Sequence, residues 1–151
     1  MTRRWLFLSA VILGMAGCGP KSSPVEDMNA LEVTLPSGKK FLCQTMIRDI
    51  DLVRGMMFQD SLAKDRGMLV MYPREDHHPL FMYNVKIPLD FVWLDQQLRV
   101  VEMVANAPPC VEKSAKQCPN YGGQTRSRYI LEINAGLATA NGLKVGDLVG
   151  F

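Results

Sequence analysis

Downstream of residue 30, hydrophobic and polar positions alternate in short runs. Residues 31–35 place Leu31, Val33 and Leu35 on one side, with Glu32 and Thr34 between them, the period of a half-buried strand. Pro36-Ser37-Gly38 supplies turn chemistry. Residues 40–47 then return as a second strand, so the spacing predicts a hairpin. Over residues 48–58, Ile50, Val53 and Met57 recur at helical spacing, with Asp49 and Asp51 where the helix dipole favours acids. Residues 67–72 are a continuous apolar run ended by Pro73, a buried strand. Residues 74–79 are polar and predict an exposed loop. Further strands are expected over 80–85, 89–94, 99–105 and 127–133, with Asp95-Gln96-Gln97 as a turn and residues 107–123 as a long connection. In the 127–133 strand, Tyr129, Leu131 and Ile133 share the inward face. Residues 135–141 predict a short helix closed by Gly142, and residues 145–151 a last strand. Many short strands with turn signals predict a mainly β fold: an antiparallel jelly-roll-like sandwich or barrel with two short helices.

The first 29 residues follow a different pattern. Arg3 and Arg4 precede residues 5–17, which carry no charge. That run is shorter than the roughly 20 residues a spanning helix needs. A positive start, a short apolar stretch and a small-residue end make a secretory signal peptide. Its end, Met15-Ala16-Gly17-Cys18, resembles the lipobox of bacterial lipoproteins, in which the cysteine is acylated. Two or three acyl chains on Cys18 anchor stably. The polar stretch 21–29 reads as a tether. The expected organisation is a signal peptide over 1–17, a lipidated Cys18 with its tether over 18–29, and one domain over 30–151. The protein is then exported and held through its acyl anchor on a membrane facing the periplasm. Gly19 in place of Asp favours the outer membrane.

Composition narrows the function classes. The 151 residues are 48% hydrophobic and 21% charged, which excludes a disordered, collagen-like or coiled-coil chain. Net charge is +2. Without Arg3 and Arg4, basic and acidic residues balance at 15 each of the 17 and 15 in the chain. That balance leaves no electrostatic footprint for nucleic acid. Export makes disulfides expected. Cys110 and Cys118 lie eight apart in one loop, each beside a proline, and closing that ring stabilises it by roughly 2–3 kcal/mol. Cys43, within a strand, reads as a buried free thiol.

Three blocks carry a family resemblance. They are Arg54-Gly55-Met56-Met57 with Gly67-Met68-Leu69-Val70, Phe81-Met82-Tyr83-Asn84-Val85 with Ile87-Pro88-Leu89-Asp90, and Leu131-Glu132-Ile133-Asn134-Ala135-Gly136 with Gly146-Asp147. In order and spacing they resemble the domain of unknown function 192 family of bacteria and archaea, over nearly all of residues 30–151. The chain departs at Phe81, Tyr83 and Val85, where members usually carry Trp, Lys and Thr. The resemblance implies a mainly β, jelly-roll-like sandwich and no established activity. It also implies that the Cys110–Cys118 pair is a feature of exported members.

Four polar residues stand out in those blocks. Asp90 and Glu132 interrupt apolar strands, and Arg54 and Asn84 accompany them. Around one pocket they would bind a polar ligand or perform acid/base work; otherwise they form a structural network, since buried charges need partners in any case. Strand alternation turns Glu132 away from Leu131. In a two-layer sandwich that side is normally wet, and Arg54 is the nearest partner by charge. His77 and His78, near Met71 and Met82, raise copper handling, because thioethers and imidazole suit Cu(I). No metal site is assigned and no cofactor is expected: zinc lacks further Cys or His near Cys110 and Cys118, and Gly122-Gly123 and Gly136 form no phosphate loop. Three classes follow. The favoured one is a lipid-anchored binding or accessory module for a polar envelope ligand or a partner protein. The alternatives are a hydrolase-like enzyme using Asp90 and Glu132, and periplasmic metal handling through His77, His78 and methionines.

Overall fold

The computed structural model describes residues 29–151. The signal peptide, Cys18 and almost all of the tether lie outside the described residues. Strand β1 (Ala30–Thr34) turns through residues 35–39 into β2 (Lys40–Met46). Gly38 takes a φ of 84° at that turn and its N–H bonds the Leu35 carbonyl at 2.9 Å. The expected hairpin is present, with Ala30 opposite Gln44 and Thr34 opposite Lys40. A crossover through α1 (Asp49–Arg54) then leads to β3 (Arg66–Asp76), which pairs parallel to β2. Helix α1 is shorter than the expected 48–58 because Gly55 leaves the helical region at a φ of 45°.

The remaining strands are β4 (Leu80–Phe81), β5 (Leu89–Leu94), β6 (Val100–Ala107), β7 (Asn120–Tyr121) and β8 (Ser127–Asn134). Six of them make one sheet in the order β1-β2-β3-β8-β5-β6, and β4 with β7 makes a small second sheet. The mainly β expectation holds. The sheet is mixed, with the one parallel pair just described, and does not close into a barrel, because its edge strands β1 and β6 do not pair. The expected final strand over 145–151 is instead a tail that laces one end of the sheet. Gly150 exchanges backbone bonds with Thr34 at 2.8 and 2.9 Å, and Val149 donates to Leu98 at 3.0 Å. The second helix, α2 (Leu137–Ala140), is a single turn.

Two further boundaries moved. Strand β3 runs through Pro73 to Asp76. Its partner β2 ends opposite Val70, and its pairing with β8 shifts between Met71 and Asp76. A missing N–H there costs no ladder bond. The expected strand over 80–85 stops at Phe81. Residues 82–85 turn, with the Val85 N–H on the Met82 carbonyl at 3.2 Å and Asn84 at a φ of 57°, a conformation that asparagine tolerates.

Both faces of the sheet are covered. One carries Val33, Phe41, Leu69, Val92, Leu131 and Ile133 beneath α2 and the tail residues Leu143 and Val149. The other carries Met68, Val70, Leu89, Phe91, Trp93 and Ile130 beneath Met56 of the crossover and Met82 of the turn. Every residue of β5 is buried. The Trp93 ring is fully buried and its Nε1 donates to the His78 carbonyl at 2.8 Å. Cys110 and Cys118 are bonded, with Cα atoms 5.8 Å apart. The Cys110 N–H also reaches the Met82 carbonyl at 3.2 Å, tying the disulfide loop to the 82–85 turn.

Candidate functional site

On β8, Leu131 and Ile133 enter one core and Ile130 enters the other. Glu132 shares the face of Ile130, flanked by Met68 of β3 and Phe91 of β5 in direct register. The side chain therefore points away from Leu131, as alternation required. That face is not wet. The 47–65 crossover lies over it, and Glu132 is only 5% exposed. Among the described residues no hydrogen bond or ion pair reaches its carboxylate. Burial pushes its pKa up to about 7, since a charge in an apolar surround loses its hydration. Tyr72, on the same face of β3, has its phenol pKa raised by burial first and by the Glu132 charge second.

Glu132 lines a cavity of ≈ 50 Å³ whose other walls include Met56, Val85, Leu89, Phe91 and Arg54. On the far side of the 54–56 segment lies a groove of ≈ 460 Å³, lined by Leu42, Gln44, Gln59, Arg66, Met68 and again Arg54. The segment between them is held by a Met57 N–H to Arg54 carbonyl bond at 2.9 Å, and the Phe58 N–H bonds the Asn84 carbonyl at 2.9 Å. Asn84 thus sits beside the cavity, one residue before Val85, and its backbone fixes the segment that carries Arg54. Arg54 itself is exposed and forms no ion pair with either carboxylate. The expected Arg54–Glu132 bridge is absent, although both residues line one cavity.

Asp90 does not join them. It occupies the opposite face of the sheet, since Phe91 is the residue in register with Glu132. Its carboxylate is fully buried. Oδ1 accepts the N–H groups of Asn106 at 2.8 Å and Gly136 at 3.0 Å, and Oδ2 accepts that of Ala138 at 2.8 Å. It ties the end of β6 and the first turn of α2 to the sheet centre. The hydrolase-like reading required both carboxylates in one cleft, and the sheet separates them. The structure brings Arg54 and Glu132 to one cavity, leaves Asn84 outside its lining with only its backbone carbonyl on Phe58, and leaves Asp90 as a structural anchor.

The histidines pack into the fold, although the buried Nε2 of His78 has no hydrogen-bond partner among the described residues. His77 Nδ1 lies 3.0 Å from the Gly123 carbonyl oxygen. The His78 ring stacks on Tyr72 with centroids 3.5 Å apart. Met82 is fully buried in the Trp93 core and Met71 packs against the opposite one. The four side chains of the copper reading therefore do not converge, and no group of three His, Cys, Asp or Glu is placed to hold a metal among the described residues. Cys43 is free and buried, and burial pushes its pKa up to about 12, so its thiolate is scarce. Phe91 and Met56 also line the cavity. Phe91 sits in an apolar run and looks like core, and Met56 lies in the Arg54-Gly55-Met56-Met57 block without standing out from it.

Comparisons with known proteins agree with this fold. The DUF192 family model, described as "Uncharacterized ACR", matches residues 33–151. A protein of unknown function from Novosphingobium aromaticivorans, known from its crystal structure, is similar at 28% identity and a TM-score of 0.71, covering 89% of this chain and 94% of that one. A provisionally assigned transcription regulator from Sinorhizobium meliloti is similar in fold, at 21% identity and a TM-score of 0.67, covering 79% of this chain and 89% of that one. No curated protein matches the chain.

Proposed function

The chain belongs to the DUF192 family of uncharacterised proteins, and from that premise we propose that it is a lipid-anchored binding module of the cell envelope, with its ligand site in the cavity over Glu132. One observation carries the reading. Glu132 is a buried carboxylate that lines a cavity and has no partner within the described chain. Burying such a group unpaired costs several kcal/mol by general estimates. A partner arriving from outside the chain offsets that cost, and a core residue of no function would not need to be acidic. The leader ending at Cys18 supports export and attachment to a membrane facing the periplasm, the outer membrane being the preferred one.

Two experiments test the two halves. Replacing Cys18→Ala should abolish palmitate labelling; continued labelling and membrane fractionation of the variant would sink the anchoring. For the site, methionine methyl groups report directly, because Met56 and Met57 line the cavity. A fragment mixture of amines, carboxylates, amino acids and sugars should shift the Met56 and Met57 methyl resonances and leave Met71, on the opposite face, unmoved. No shift from any fragment at millimolar concentration would overturn the binding reading.

A further inference from the structure

The cavity over Glu132 presents two opposite charges on an otherwise apolar surface. Glu132 stands at its inner end, almost fully buried. Arg54 stands at its outer end, exposed, and lines the neighbouring groove as well. Neither has an ion-pair partner among the described residues. Between them the wall is Leu52, Met56, Met57, Val85, Leu89 and Phe91. A sugar needs several converging donors and acceptors, and this wall offers none. A simple anion would meet Arg54 but be repelled by Glu132. A volume of ≈ 50 Å³ holds only a few heavy atoms, so the group that enters is compact.

We infer that the cavity binds a small zwitterion of the α-amino-acid class, with its ammonium inward on Glu132 and its carboxylate outward on Arg54. The inference rests on the cavity being the ligand site and adds the chemistry of the ligand. The arrangement satisfies each charge once. The ammonium desolvates against a carboxylate that is already desolvated, which strengthens the pair. The carboxylate stays at the mouth, where the planar guanidinium can take it with two parallel N–H bonds. Short apolar side chains then meet the methionine and phenylalanine walls.

The ionisable groups facing the ammonium site are Glu132 of β8, Tyr72 of β3 with His78 stacked on it, and Arg54 of the crossover. The flanking residues of β5 and β3, Phe91 and Met68, do not titrate. Tyr72, whose phenol pKa is raised, stays protonated between pH 6 and 8. An ammonium favours the ionised form of Glu132, so binding weakens on acidification through neutrality.

Calorimetric titration of the full chain in detergent provides the test, with L-alanine, ethylamine and propionate as probes. Alanine should bind at least about tenfold more tightly than ethylamine, which lacks the anion, and than propionate, which lacks the cation. Its affinity should fall about tenfold from pH 8 to pH 6. Arg54→Gln, an exposed change that leaves folding intact, should bring alanine down to the level of ethylamine; Glu132→Gln should abolish both. Ethylamine binding as tightly as alanine, with no effect of Arg54→Gln, would overturn the zwitterion while retaining the cavity as a cation site. If none of the three probes binds while other fragments shift Met56 and Met57, the ligand class is wrong and the site survives. If no fragment shifts them, both fall.

Discussion

Replacing Glu132→Gln should stabilise the protein by about 3 kcal/mol at pH 8 and leave it nearly unchanged at pH 4.5. The folded-state pKa is raised from 4.5 to about 7 by burial. Between those values the native state holds a proton that the unfolded state has lost, so wild-type stability falls as pH rises through this window. Each pH unit of the window is worth about 1.4 kcal/mol, and the penalty is complete above pH 7. Glutamine fills the same space and never ionises, so the variant escapes the penalty. His78 tends the other way: burial holds its pKa below the usual imidazole value, so stability is lost on acidification. That contribution is common to both proteins and cancels in the difference. Urea unfolding at the two pH values checks the result. A variant less stable than wild type at pH 8 would mean that the carboxylate has a stabilising partner in the folded chain, and the unpaired-charge account would be wrong. The expected gain in stability with a loss of ligand binding is the trade-off of a group retained for function.

The side on which Glu132 lies was legible in the sequence; what covers that side was not. Alternation through Tyr129, Leu131 and Ile133 assigns Glu132 to the opposite face. The cover comes from Met56 and Leu62, residues contributed by a crossover whose position depends on β2 and β3 running parallel. A readable signal for that pairing existed. Parallel strands need a connection of about a dozen residues or more, usually carrying a helix, and residues 47–65 have both the length and the helical spacing. The continuous run in β3 and the wholly buried β5 were further signs of a sheet covered on two faces. The disulfide was legible because both cysteines sit in one loop, eight residues apart. The C-terminal tail was not: Val145 and Leu148 are exposed and only Val149 enters the core, so apolar composition suggested a strand where the backbone makes isolated bridges to Thr34 and to residues 98–100. The grouping of Asp90 with Glu132 failed for a related reason. Sequence blocks show which residues recur together, whereas register decides which face each takes.

That register makes Asp90 the residue whose loss should cost the most. Its carboxylate accepts three buried or half-buried backbone N–H groups from two separate segments, at Asn106, Gly136 and Ala138. Asn106 and Gly136 both hold positive φ, 56° and 83°. Such conformations persist only where surrounding contacts impose them. Asp90→Ala removes both acceptor oxygens at once and strands three donors, of which that of Ala138 is buried from water. At about 1–3 kcal/mol for each stranded group, the loss is roughly 3–9 kcal/mol, a large part of the roughly 5–15 kcal/mol a domain possesses. The variant should be largely unfolded or strongly shifted in urea midpoint, with the near-ultraviolet signal of buried Trp93 lost. Asp90→Asn refines the point. Its oxygen can keep the two bonds made by Oδ1, but its amide then sets N–H against the Ala138 N–H, or the flipped amide gives up the other two. Asparagine should therefore destabilise by less than alanine, and measurably. An unfolding free energy for Asp90→Asn within about 0.5 kcal/mol of wild type, the range of ordinary surface changes, would show that the anchor is not Asp90. It would also return this carboxylate to the pool of residues free to serve a ligand.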